Sequence, residues 1–331
     1  MTLRRGLLIA ILGAALALFV APLLGVEMLS PVVWLGGDPL HAQVFWSMRV
    51  PRVIVGFLAG AALATSGVVF QAMFRNPLAE PYTLGIASGA SLGAAIAILS
   101  GASVVGLGFS AVSLAALVGA LAVVAAIIGI ARLRRGFSAA TMLLAGVAIS
   151  FFCSSLILFL QYLSDFTQTF RMLRWVMGGL DAGVSDFDVF MLLPLVGVGC
   201  GLVYLFAHEL NLLATGEELA ASRGVELGPT KLALFLAASV MVGGVVAVCG
   251  PIGFVGLMAP HICRLLLGPE HRGLVPASLL FGGTFLVLCD ALARVLLAPA
   301  EIPVGIITAL LGGPFFLWLL LRRMPDLGGV D

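Results

Sequence analysis

Ten apolar runs, most of them about twenty residues long, follow one another along the chain, at 6–26, 51–73, 83–103, 107–131, 139–162, 187–207, 230–250, 252–268, 273–298 and 303–321. A helix that crosses a bilayer needs roughly 20 apolar residues. Irregular backbone cannot face lipid with its N–H and C=O groups unpaired. With 61% of its residues hydrophobic and 10% charged, the chain also lacks the polar side chains to cover a water-facing surface. The expected fold class is therefore all-α, a polytopic membrane protein of about ten transmembrane helices. Ten crossings leave about 130 residues for eleven ends and loops, about twelve each, so no separate soluble domain fits. Residues 1–331 read as one transmembrane domain. Two runs flank Cys249-Gly250-Pro251, and the second, 252–268, is short for a full crossing and fits a half-helix followed by a span. The run after Arg4-Arg5 has the charge order of a signal peptide. It exceeds that signal's usual apolar length of about 7 to 15 residues, so it reads as a retained first helix.

Charge placement sets the orientation, because Arg and Lys favour cytoplasmic loops. With the N-terminus inside, 12 of the 17 basic residues fall inside: Arg4, Arg5, Arg75, Arg132, Arg134, Arg135, Arg223, Lys231, Arg264, Arg272, Arg322 and Arg323. Both termini are then cytoplasmic, as an even number of helices requires. Arg49, Arg52, Arg171, Arg174 and Arg294 fall outside, against the bias. A net charge of +1 points to no nucleic acid or polyanionic partner.

Little in the sequence supports catalysis. The five cysteines, at 153, 200, 249, 263 and 289, form no CxxC pair and read as small buried hydrophobes. The four histidines show no metal-ligand spacing, and no paired acid and base suggests a membrane enzyme. Asp290 is the clearest ionisable group inside a span, and Arg294 follows one helical turn later, as for a local ion pair. A single membrane acid is thin support for an ion-coupled secondary transporter. The only lysine, Lys231, follows Thr230, so the Gly-Lys of a phosphate-binding P-loop is absent. If ATP drives the protein, another chain hydrolyses it. Glycines at small-residue spacing, such as Gly56, Gly60 and Gly67, suit close helix packing in lipid. Gly67-Val-Val before Leu78-Ala-Glu-Pro81, and Gly244-Val-Val before Leu257-Met-Ala-Pro260, form a faint repeat five spans apart, as inverted halves would.

The longest polar insert, about 208–229, has the makings of a short amphipathic helix outside the membrane. Thr215 is placed to cap it, Glu217 and Glu218 to fill its first turn, and Gly224 to end it. An insert of some twenty residues in so economical a chain is more often functional than not.

Five motifs lie in order along the chain. They are Arg49-Val-Pro-Arg52, Asn76-Pro-Leu-Ala-Glu-Pro81, Trp175-Val-Met-Gly-Gly179, Gly250-Pro-Ile-Gly-Phe-Val-Gly-Leu257 with Pro260-His261, and Glu301-Ile-Pro-Val-Gly305 through Gly312-Gly-Pro-Phe-Phe316. Together they resemble the FecCD family of permease subunits, type II ABC importers for ferric siderophores, haem, cobalamin and, in some members, molybdate. The resemblance implies ten helices per subunit in the inverted-repeat fold of that family, and a second permease copy around a central pathway. It also implies two cytoplasmic ABC ATPase subunits that carry the ATP and Mg, an extracytoplasmic substrate-binding protein, and a bacterial or archaeal cytoplasmic membrane. No cofactor is expected on this chain, and a ferric siderophore is the favoured cargo.

By the same resemblance the ATPase-coupling segment is Gly216, Glu217, Glu218, Leu219, Ala220, Ala221, Ser222, Arg223, Gly224 and Val225; it departs from the family at Ser222-Arg223-Gly224-Val225, where Leu-Gly-Val is common. An inner gate is expected at Ser138, Ala139, Ala140 and Thr141. Arg49, Arg52 and Arg294 are expected to dock the binding protein through its carboxylates, which the bidentate guanidinium fork suits; lipid phosphates are the other candidate partners.

Overall fold

The computed structural model describes residues 3–35, 38–102, 104–105, 109–133, 138–180 and 184–323. The first helix, α1 (Leu3–Val20), ends in a 3-10 turn at Ala21–Leu23. The short α2 (Pro39–Val44) passes through a π-helical turn, Phe45–Arg49, into α3 (Val50–Phe74), so that residues 39–74 form one continuous helix. There follow α4 (Ile86–Leu99), α5 (Ala111–Leu133), α6 (Ala139–Leu163) and a short α7 (Phe166–Val176). Next come α8 (Asp186–Leu205), α9 (Ala207–Thr215), α10 (Glu217–Ser222) and α11 (Leu227–Cys249). The chain finishes with α12 (Val255–Leu267), α13 (His271–Val295) and α14 (Val304–Arg323). The only β structure among the described residues is a ribbon pairing Val104–Val105 with Phe109–Ser110.

Seven helices among the described residues are long and apolar enough to cross a membrane, and α4, α12 and α14 supply three shorter apolar ones. These ten elements fall where the ten apolar runs predict them. Two of them are shorter than a crossing: at 1.5 Å per residue α4 and α12 reach only about 20 Å, against a hydrocarbon core of about 30 Å. The sequence predicts this for α12 but a full span for α4. The difference arises because Arg75 closes α3 in the left-handed conformation at φ 49° and the chain then turns at Pro81–Leu84 before α4 begins.

Nearly every residue of α3 from Pro51 to Phe74 is buried. A helix that is apolar on all faces belongs at the centre of the fold, and α3 packs against α8, α11, α12 and α13. Glycine makes this possible. A Cβ on Gly60 would collide with the carbonyl of Gly282, and one on Gly67 with the carbonyl of Gly256. In contrast α6 leaves Leu144, Phe151, Phe152 and Phe159 exposed, as suits a face turned to lipid or to another chain.

The helices also show their directions. The end of α3 reaches the start of α10, where the Arg75 guanidinium lies 3.9 Å from the Cβ position of Gly216. Glu217 there meets Lys231 in the first turns of α11. The start of α3 meets the end of α13 through Arg52 and Asp290. Hence α3 and α11 run antiparallel, each followed by a break and a short helix, the inverted arrangement of transporter repeats. The repeat in letters is offset from the repeat in structure: Pro81 opens the turn before α4, whereas Pro260 lies inside α12. At the middle of α3 the first turn of α12 packs against Leu63 through Gly256. Glu80 Oε2 accepts a hydrogen bond from the Phe254 N–H at 3.2 Å. Broken backbone is tolerated at this depth because protein surrounds it.

The glycine contacts give a direct test. Gly67→Ala forces α3 and α12 apart and should cost about 1–3 kcal/mol, lowering the melting temperature in detergent. Gly129→Ala, in α5 with nothing within 4 Å of its Cβ position, should leave melting unchanged. Equal melting of the two variants would remove the argument.

Candidate functional site

Five ionic side chains from distant stretches converge beside the first turn of α3 and the last turns of α13. Arg52 donates Nε and Nη2 to Asp290 Oδ1 at 3.1 and 2.8 Å, and Nη1 to Glu301 Oε2 at 2.7 Å. Arg294 Nε lies 3.1 Å from Asp290 Oδ2. Its Nη1 and Nη2 donate to the carbonyls of Leu24 at 2.7 Å and Ala21 at 3.1 Å. Arg49 binds the carbonyls of Pro22, Leu23 and Glu27. Asp290 is 1% exposed and so requires ionic partners. The expected local pair with Arg294 forms, but Asp290 gives more of its hydrogen-bonding capacity to Arg52, 238 residues away.

The three arginines predicted to dock a binding protein are thus brought together, though not as three free surface charges. Arg294 is 3% exposed and serves as a brace between α13 and the chain after α1. Arg52 is committed to two carboxylates. Arg49 is the most open of the three, and its hydrogen bonds among the described residues go to carbonyl oxygens only. The cluster sets three guanidinium groups against Asp290 and Glu301, with the Glu27 carboxylate close enough to Arg49 to attract it. It forms one wall of a cavity of about 840 Å³, closed on the other side by Phe170, Leu173 and Met177.

Beneath this cavity, three of the sequence motifs meet through backbone alone. Gly179 donates its N–H to the Cys249 carbonyl at 2.8 Å, and Gly305 donates to the Gly178 carbonyl at 3.1 Å. Gly178 and Gly250 both adopt φ 67°, a left-handed conformation that favours glycine. A Cβ on Gly178 would strike the Pro251 carbonyl, and one on Gly305 the Met177 carbonyl. The junction ties the end of α7, the end of α11 and the start of α14. A second cavity, of about 490 Å³, lies on its other side, beside Trp175, Asp188 and Cys249.

At the opposite end, the predicted single helix of the polar insert is two helices. Thr215 is not its cap: it is the last residue of α9, and its Oγ1 donates to the Leu212 carbonyl at 2.7 Å. Gly216, at φ 140° and ψ 148°, turns the chain and precedes α10. Glu217 and Glu218 fill the first turn of α10, and Gly224, at φ 87°, follows its end as predicted. Ala220 anchors α10 in the core, while Glu218, Leu219, Ala221, Ser222, Arg223 and Gly224 are exposed and Val225 is half-buried. Asn211 of α9 holds α13 by accepting from the His271 N–H at 2.9 Å, with His271 Nδ1 2.7 Å from the same oxygen.

Ser138 precedes α6 without capping it. Ser138 and Ala140 are exposed, and Ala139 and Thr141 half-buried. Arg134 and Arg135 lie outside the described residues. All five cysteines are buried and unbridged, and the described residues contain no group of His, Cys, Asp and Glu that would hold a metal ion.

Three further residues emerge only in the structure: Glu301, which completes the arginine cluster; Glu80, inside the protein at the middle of α3; and Lys231, whose Nζ lies 2.6 Å from Glu217 Oε1. Glu301 and Glu80 stand inside quoted motifs, and Lys231 is the sole lysine. Those signals mark the residues but not their partners.

The profile of the FecCD transport family matches residues 6–322. The hemin transport system permease protein of Yersinia pestis is 41% identical over 289 residues, which cover 87% of this chain and 86% of that protein. A vitamin B12 import system permease protein of Klebsiella pneumoniae subsp. pneumoniae is 42% identical over 299 residues, 90% of this chain and 88% of that one. A solved structure described as an inward-facing conformation of a metal-chelate type ABC transporter aligns with a TM-score of 0.86 at 30% identity, covering 96% of this chain and 99% of that one.

The arginine cluster is testable as a piece of structure. Asp290→Asn leaves two buried guanidinium groups short of charge and should cost about 3–5 kcal/mol. Glu301→Gln, at a side chain 31% exposed, should cost about 1 kcal/mol or less. Thermal melting of both variants in detergent decides, and equal losses would show that Asp290 is not the centre of the cluster.

Proposed function

The chain belongs to the FecCD transport family, and from that premise we propose that it conducts a bulky metal chelate inward across a bacterial or archaeal cytoplasmic membrane. It is the membrane-spanning permease subunit of an ABC importer and is not itself an enzyme. The observation that carries the reading is the continuous match from residue 6 to residue 322, which takes in the broken helices, the outer cluster and α10 together. Relatives named for hemin and for vitamin B12 are equally similar to this chain, at 41% and 42% identity. The cargo is accordingly placed in the class of metal chelates, within which ferric siderophore, haem and cobalamin all fall.

The working assembly in this reading has two permease copies, two ATPase subunits holding ATP and Mg, and a binding protein on the outer face. Residues 1–331 form one transmembrane domain with both termini in the cytoplasm. Support comes from the basic residues at the ends of α3, α5, α12 and α14, on the α10 side of the molecule. The exposed face of α10, with its flanking residues from Gly216 to Val225, contacts the ATPase. Ser138, Ala139, Ala140 and Thr141 form the inner constriction between copies. Arg49, with Arg52 and Arg294 behind it, receives a carboxylate of the binding protein. The place of Arg49 on the cavity wall supports this, since its hydrogen bonds among the described residues go to carbonyl oxygens and not to a carboxylate.

Reconstitution in liposomes tests the assignment. Uptake should require the ATPase chain and ATP, and the chelate should be identifiable by mass spectrometry of the cognate binding protein. Uptake driven by an ion gradient without the ATPase would overturn it. In the same preparation a cysteine at position 138 or 139 should crosslink the two copies in a nucleotide-dependent way, and crosslinking indifferent to nucleotide would remove the gate.

Docking is best tested at Arg49, because reversing Arg52 would unpair Asp290. Exposed charge pairs govern encounter more than affinity, so Arg49→Gln should slow association of the binding protein and flatten its dependence on ionic strength. Wild-type association rate and salt slope in this variant would exclude the cluster as the docking site.

A further inference from the structure

Lys231 is the only lysine in the chain, and its side chain is 4% exposed. An ammonium group taken out of water is costly unless an anion answers it. Glu217 Oε1 does so at 2.6 Å. Glu217 is also the first residue of α10, where the helix dipole favours a carboxylate. A six-residue helix is too short to hold itself together in water. Ala220 and this ion pair fix α10 in place.

The neighbouring joint is built differently. Gly216 separates α10 from α9 with extended backbone at positive φ. α9 is bound to α13 through Asn211 and His271. The two halves of the cytoplasmic segment are therefore fastened to different membrane helices, with a glycine between them. α11 is an uninterrupted rod of 23 residues, about 34 Å long. Its far end is Cys249-Gly250, half of the glycine junction beneath the outer cavity.

We infer that Glu217 and Lys231 lock α10 to α11 as one lever, so that displacement of α10 by the ATPase moves the outer glycine junction through α11. The inference rests on the reading of α10 as the ATPase-coupling helix. Glu217 and Lys231 are positioning residues in it. Glu218 and Arg223 are exposed, and Arg223 lies beside the first turns of α11, lining a cavity with Pro229, Thr230 and Ala233.

The test uses the complete importer, with permease, ATPase and binding protein reconstituted in liposomes. Its readout is the stimulation of ATP hydrolysis by the loaded binding protein, relative to the basal rate of the same variant. Glu217→Gln should reduce that stimulation about fivefold or more, the lower end of allosteric coupling. The exchange Glu217→Lys with Lys231→Glu should restore it, an outcome that a merely structural loss would not give. A cysteine at Ala221, on the exposed face of α10, should crosslink to the ATPase with or without Glu217→Gln. Wild-type stimulation in Glu217→Gln, or failure of the exchange to restore it, overturns the lever while the crosslink stands. Absence of the crosslink in the importer altered only at Ala221 overturns the coupling reading, and the lever with it.

Discussion

Direct contact between helix backbones at α3 is the constraint on which the rest of the structure depends. In lipid no hydrophobic force drives helices together, so association relies on close van der Waals approach and on hydrogen bonds. Gly60 and Gly67 let α13 and α12 seat their carbonyls against α3. Only with that seat can α12 begin at half depth, because its unpaired N-terminal backbone is then covered by protein. The Glu80 carboxylate occupies this position and accepts from Phe254 N–H. An acid is held inside the molecule by a helix N-terminus, where the dipole favours negative charge.

The ionic clusters follow from the same packing. Once α13 lies along α3, Asp290 is set opposite Arg52, and the loop before α14 brings Glu301 to the other side of the same guanidinium. Arg294, one turn beyond Asp290, reaches back to the carbonyls after α1. Four stretches of chain are thereby fixed around one buried carboxylate. The site is rigid because each guanidinium serves several partners, and the fork geometry of arginine permits this where the ammonium of lysine would not.

Element placement was legible in the sequence because apolar length and Pro/Gly breaks are local signals. The ten runs, the half-length α12 and the stop at Gly224 were all readable from neighbouring residues. The short α4 was not, since its boundary depends on Arg75 adopting a left-handed conformation, which arginine does not advertise. Thr215 was misread as a cap because a threonine before two glutamates fits the local rule, while the actual turn belongs to Gly216. The pairing of sites was illegible for a different reason. Arg52 with Asp290 and Glu80 with Phe254 join residues more than 170 positions apart, and no periodicity encodes such a contact. The motifs Trp175 to Gly179, Gly250-Pro and Gly305 could be quoted as letters. Their common cause, a junction with no room for a Cβ, is visible only when the three are together.

The distribution of polar groups also limits how this molecule can move. Apart from Glu80, charged groups lie at the ends of the central helices, while their middles meet through glycine, alanine and backbone. Dense apolar packing of that kind compresses little and transmits displacement. Each of α3, α11 and α13 joins the α9–α10 segment to the end that carries the arginine cluster and the glycine junction. α3 runs from Arg52 to Arg75, α11 from Lys231 to Gly250, and α13 from His271 to Arg294. Relative motion between the two ends must then occur as tilting or sliding of whole helices. The joints that permit it are the positions without side-chain bulk: Gly216 beside α10, and Gly178, Gly250 and Gly305 beneath the larger cavity. The rods between these joints, α3, α11 and α13, are each continuous helices.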